Sequence, residues 1–145
     1  MCRLKTDFPH LTIVVNGGID SADVAVEQLD RVDGVMLGRA IYHNPWLLTE
    51  LEQRLFGAAV PGSRHAVLRQ LLPYVEAELD GGARLHDVAR HLHGLFNGYP
   101  GARRYRRHLS EHASRTGAGV DVLMDAAACV DEAFPETRLA LCSNA

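Results

Sequence analysis

An α/β segment followed by an all-α segment is the fold class that the sequence predicts, and three observations predict it. Two short apolar runs, Leu11–Val15 and Gly34–Leu37, are separated by one amphipathic helix, and each closes on a glycine turn. Beyond Gly57–Ser63 no such run recurs, and four segments of helical period succeed one another, separated by Gly or Pro. The chain has 145 residues, whereas a closed (β/α)₈ barrel typically needs about 250. Together these read as the last two βα units of a (β/α)₈ TIM barrel followed by a C-terminal four-helix bundle. The expected domains are residues 1–57 and 63–135, with 136–145 as a tail.

Met1–His10 reads as the tail of a preceding helix, with Phe8-Pro9 marking entry to the first strand. The run Leu11–Val15 is apolar and β-branched, the composition of a strand buried on both faces. Asn16-Gly17-Gly18 turns the chain sharply and brings bare backbone close to its surroundings. Ser21 suits a helix N-cap, and Ala25, Leu29 and Val32 lie beyond it at the spacing of an inner stripe. Gly34–Leu37 is the second strand, parallel to the first and closed by Gly38-Arg39. One helical turn fits Ala40–Asn44, and Pro45 suits the start of a helix over Trp46–Phe56. That helix carries Leu47, Leu48, Leu51 and Leu55 on one face and stops at Gly57.

Gly57–Ser63 is the linker, and Ser63 caps the first helix beyond it. The spacing predicts helices over Arg64–Leu79, kinked at Pro73, and over Arg84–Phe96, Pro100–Arg115 and Val120–Phe134. The last is expected to turn Leu123, Met124, Ala127 and Val130 inward.

Composition narrows the function classes. The chain is 47% hydrophobic and 23% charged with a net charge of −3, so any basic patch must be local. Cys2, Cys129 and Cys142 are odd in number and contain no CxxC pair, which argues for reduced thiols. No run of 18 apolar residues and no leader-like apolar stretch occurs. The expectation is a soluble, cytoplasmic chain with no membrane partner.

Three features could carry chemistry. Paired glycine turns at the ends of neighbouring parallel strands make a phosphate cradle, with backbone N–H donors from Gly17, Gly18, Gly38 and Arg39 and the Arg39 guanidinium adding charge; tight βα loops are the plainer reading. Over Tyr99–Gly117 five arginines face one glutamate. Ala102, Tyr105, Leu109 and Ala113 form the apolar stripe there, so Arg103, Arg104, Arg106 and Arg107 project away from it. Guanidinium pairs bidentately with phosphate, and Tyr99 and Tyr105 could stack on bases. The alternative is a solvated face with ion pairs to the acidic Glu76–Asp80 run. Third, His86, His91, His93, His108 and His112 fall in the helical part, and His108/His112 are spaced i, i+4. No HExxH pattern or Cys cluster joins them, and no metal is expected.

DFPHLTIVVNGGI, DGVMLGRAIYHNPWLL and HLHGLFNGYPGARRYRRHLSE, in this order, resemble the C-terminal portion of a tRNA-dihydrouridine synthase, closest to the A-type branch. The resemblance spans roughly Leu4–Glu132, and the third block is its most specific part, since general flavin barrels lack it. It implies an FMN-binding barrel, a helical domain that helps hold tRNA, and reduction of the uridine C5–C6 double bond with NADPH as the reductant of the flavin. By position, Asn16, Gly17 and Gly18 resemble the first phosphate-binding turn and Gly38 and Arg39 the second. Arg103 and Arg106 fall where the branch places tRNA-contacting arginines, with Arg104 and Arg107 as close competitors. The catalytic cysteine that the resemblance implies belongs to the first part of the barrel; no catalytic residue is assigned here, and Cys2 is not that cysteine. The expectation is an enzyme portion inactive alone, with the missing barrel half as a partner. A stand-alone RNA-binding helical module, or part of another FMN-dependent oxidoreductase, are the alternatives.

Overall fold

Val14–Asn16 (β1) and Gly34–Met36 (β2) pair as parallel strands in register Val14↔Gly34, Val15↔Val35 and Asn16↔Met36, in a computed structural model that describes residues 2–134. The described residues divide after Val60 into two units.

Unit 1 runs α1 (Cys2–Asp7), β1, α2 (Ala22–Leu29), β2, α3 (Arg39–His43) and α4 (Leu47–Phe56). Ser21 caps α2, its Oγ accepting from Val24 N at 3.3 Å. Asp33 ties the starts of the two strands together: its amide donates to Ile13 O at 3.0 Å, and its carboxylate accepts from Ile13 N at 2.8 Å. Lys5 on α1 pairs with the same carboxylate at 2.7 Å. Lys5 and the Ile13 amide hold the Asp33 carboxyl below the usual carboxylate range. Val15, Ile19, Ala22, Ala25, Val32, Leu47 and Leu51 form the core. Gly57 ends α4 in the left-handed conformation, at φ 65°.

Two expectations fail here for one reason. The first strand is buried on one face only, with Val15 at 5% exposure and Val14 at 56%. On α4, Leu47 and Leu51 are buried while Leu48 and Leu55 are exposed. A two-stranded sheet offers a single cluster to pack against, and nothing among the described residues of unit 1 covers the other apolar faces.

Unit 2 comprises α5 (Arg64–Asp80), α6 (Leu85–Ala89), α7 (Ala102–His112) and α8 (Val120–Ala127). Ser63 Oγ accepts from Ala66 N at 3.1 Å and starts α5, which runs through Pro73. Phe96, Tyr105 and Leu123 lie at the centre of the core with Leu68, Val75, Leu85 and Leu109. The Phe96 and Tyr105 rings meet edge to face at 4.8 Å.

The second and fourth segments are shorter helices than predicted. After Ala89 the chain continues to Tyr99 in tight turns, such as Leu95 N to Leu92 O and Tyr99 N to Phe96 O. Carbonyls there are engaged by side chains from other elements: Leu92 O accepts from Tyr105 Oη at 3.1 Å, and Leu95 O from Arg64 Nη1 at 2.7 Å. The apolar spacing still drives Leu95 and Phe96 into the core, although the backbone is not α-helical. α8 ends at Ala127, beyond which Cys129 O accepts from Arg104 Nη2 at 3.1 Å and Asp131 closes a local turn onto Ala133 N. Met124 points outward, and Ala126 takes the inward position instead. The expected tail, 136–145, lies outside the described residues.

Candidate functional site

In unit 1, both glycine turns sit at the C-terminal ends of the paired strands, the edge at which parallel α/β sheets bind ligands. Asn16, Gly17, Gly18, Gly38 and Arg39 all line one cavity of about 500 Å³. The structure therefore brings together all five residues of the predicted cradle. Ile19, Asp20, Met36, Ala40 and His43 complete the lining. Gly17 and Gly18 adopt φ 102° and 72°, a region that side chains disfavour, and this is the backbone reason for two glycines in sequence. A Cβ placed on Gly17, Gly18 or Gly38 would meet no protein atom within 4 Å. The space beside those backbones is open, so a phosphate-sized anion fits against them. Arg39 supplies a cation, His43 one turn further along the helix also lines the cavity, and Asp20 is the carboxylate among the lining residues. Sequence reasoning did not single out His43 or Asp20; spacing by four from Arg39 was the available signal for His43.

In unit 2, the inner stripe of α7 is buried as expected: Ala102, Tyr105, Leu109 and Ala113 are each at most 6% exposed. The four arginines divide into two kinds. Arg104 donates to Cys129 O, and Arg107 donates to Glu111 Oε1 at 2.7 Å, an ion pair within the helix. The Arg103 and Arg106 side chains form no hydrogen bond or ion pair among the described residues, and Arg106 is engaged through its carbonyl, which accepts from Ser110 Oγ at 2.9 Å. None of the four pairs with Glu76–Asp80 among the described residues; the acidic partner is Glu111 on α7 itself.

The tyrosines are not available to stack on bases. Tyr99 packs between Phe96 and Phe134 with the Arg64 guanidinium over its ring at 4.9 Å. Tyr105 is fully buried, and burial pushes its phenol well above the ordinary value. Arg64 and His65, which the apolar spacing of the first bundle helix leaves off its inner face, are buried at 3% and 7%. His65 Nε2 lies 3.2 Å from Ala127 O.

His108 and His112 stack edge to face at 4.2 Å. Among the described residues no group of three or more His, Cys, Asp or Glu side chains could hold a metal ion. No helix among the described residues is long and apolar enough to cross a membrane.

Residues 2–134 match the family model described as "Dihydrouridine synthase (Dus)". Named relatives agree with that match. The chain is 48% identical over 127 residues to the tRNA-dihydrouridine(20/20a) synthase of Vibrio cholerae serotype O1, covering 87% of this chain and 39% of that protein. It is 47% identical over 137 residues to the protein of the same name from Yersinia pestis, covering 93% and 39%. The Pseudomonas syringae pv. tomato protein of that name is 51% identical over 111 residues, covering 76% and 33%. The chain thus spans about two fifths of the length of such relatives and matches their C-terminal portion.

Proposed function

Because the chain belongs to the dihydrouridine synthase family, we propose that it is the C-terminal portion of an FMN-dependent enzyme that reduces the C5–C6 double bond of uridine in tRNA. Residues 1–57 supply the last two units of the TIM barrel, and residues 63–135 the helical tRNA-binding domain, a four-helix arrangement. Asn16, Gly17, Gly18, Gly38 and Arg39 hold the phosphate end of the flavin. Arg103 and Arg106 meet tRNA phosphates; the engagement of Arg104 and Arg107 within the protein supports that choice of pair. When bound, the flavin would provide hydride-transfer chemistry toward the base, with NADPH as the source of the reducing equivalents. What these residues contribute is binding and orientation. Backbone amides of the two glycine turns and the Arg39 charge fix one end of the cofactor, while the arginines fix the polyanion whose base is to be presented. No residue of this chain is given the role of the acid that protonates the base, and the chain alone is inactive.

The observation that carries this reading is the convergence of the five cradle residues on one cavity. It is tested by splicing this chain in place of the matching portion of the Vibrio cholerae relative. The expected product is a yellow protein that retains FMN and forms dihydrouridine in tRNA, scored by mass spectrometry of nucleosides. Gly18→Val and Gly38→Val should lose the flavin while keeping the parent's circular dichroism. Folded variants that keep stoichiometric FMN would refute the cradle assignment. A folded, flavin-loaded chimera that forms no dihydrouridine would refute the function.

A further inference from the structure

We propose that unit 2 carries a second anion site, walled by Arg84 and Arg115, that takes a phosphodiester of an RNA backbone. This rests on the reading of α7 as an RNA-facing helix. A cavity of about 490 Å³ lies where the α5–α6 turn meets the α7–α8 turn, with Asp80, Arg84, Leu85, Arg115, Thr116 and Gly117 among its lining residues. The two arginines come from different turns and converge on one space. Arg115 Nε donates to Glu111 O at 3.1 Å, which sets the plane of its guanidinium. Its terminal nitrogens, and the whole Arg84 side chain, make no hydrogen bond or ion pair among the described residues. The backbone amides of Thr116 and Gly117 likewise donate to no protein acceptor among them.

Leu79 and Leu85 are the large apolar residues in the lining. Asp80 is the one carboxylate among the lining residues and forms no ion pair with either arginine. α5 and α7 end here while α6 and α8 begin, so opposed helix termini largely offset, and the arginines decide the sign of the field. Two guanidinium groups against one carboxylate favour an anion, and a phosphodiester matches the fork geometry of arginine.

The position selects the source of that anion. α7 runs from Ala102 to His112, so at 1.5 Å per residue Arg103 and Arg106 stand about 14 and 9 Å before the helix end beside which the pocket lies. Cationic points spaced along one helix and just beyond its C-terminal end suit a chain of phosphates rather than a single free ion.

The test measures tRNA affinity of the full chain by fluorescence anisotropy as KCl is raised. Each phosphate contact adds about 0.7–0.9 to the slope of log K against log[salt]. Replacing Arg84→Gln together with Arg115→Gln should lower the slope by about 1.4–1.8, and the double Lys variant should restore it. Both arginines are exposed, so circular dichroism should stay that of the parent. Equal slopes for parent and Gln variant, with Arg103→Gln/Arg106→Gln still lowering the slope, would overturn the pocket and leave the α7 reading standing. No change in either double variant would overturn both. Inorganic phosphate that shifts the Gly117 amide resonance in the parent but not the Gln variant, without any change in tRNA slope, would assign the pocket to a small anion and overturn the RNA proposal.

Discussion

Replacing Gly101 with alanine should unfold the helical unit far more readily than the same change elsewhere in that unit. Gly101 has φ 93°, and a Cβ built there would overlap the Cys129 carbonyl oxygen and lie 3.2 Å from Val130 Cα. Both neighbours are backbone, so no side chain can swing aside. The left-handed conformation costs a non-glycine residue about 1–2 kcal/mol. Losing glycine's freedom in the unfolded chain returns about 0.4–1 kcal/mol. Crowding a packed contact adds about 1–3 kcal/mol. Gly101→Ala should therefore destabilise by about 2–4 kcal/mol, a drop in Tm of about 10–30 °C for a domain of this size. Gly82→Ala is the matched control, because Gly82 has φ 92° but open space at the Cβ position. It should cost about 1 kcal/mol. Thermal melts tracked by far-ultraviolet circular dichroism give the comparison. The single tryptophan, Trp46, is buried in unit 1, so its emission should not change. Coincident melts for the Gly101 and Gly82 variants would refute the close approach of α7 to residues 129–130 on which the reasoning depends.

Four more outcomes can be measured on the same chain. Alone, it should purify colourless and bind FMN weakly, because unit 1 offers a cradle but little wall to cover an aromatic ring; a stoichiometric flavin spectrum would contradict this. Arg64→Ala should destabilise unit 2 by about 1–3 kcal/mol in urea titrations, since the buried Leu95 carbonyl loses its charged donor. Arg69→Ala, removing an exposed pair with Glu132, should leave the urea midpoint almost unmoved. The Asp33 carboxyl titrates below its ordinary value of 3.8 in the folded chain. Its contribution is therefore fully present above that value and lost as pH falls through the lowered folded value, so acid melts of unit 1 should flatten in Asp33→Asn.

The α/β portion was legible because each signal in it is local. Asn16-Gly17-Gly18 needs positive φ, Ser21 caps the next helix, and Gly57 closes α4, all within a few residues of the feature they determine. Burial was less legible, since it depends on what else is present: Val14 and Leu48 have the composition of core residues and stand exposed. In unit 2 the apolar spacing of Leu92 and Leu95 reads as helix, yet bonds from Tyr105 and Arg64, distant in sequence, hold that backbone in turns. The arginines show the same division. Their outward face could be read from Ala102, Tyr105, Leu109 and Ala113, whereas the capture of Arg104 by Cys129 O depends on a residue 25 positions away. The burial of Arg64 was not legible because nothing beside it in sequence announces the Tyr99 ring it covers.

The turn-rich stretch from Arg90 to Tyr99 has a kinetic consequence. α5 and α7 are continuous helices whose bonds close locally, so they can form early, whereas Leu92 O and Leu95 O receive their side-chain donors only after both helices have docked. Substitutions that loosen this stretch should accelerate unfolding and leave the folding limb of a chevron almost unmoved, with φ-values near zero. The lifetime of the folded helical unit is then set by a segment that its own sequence pattern does not hold in place.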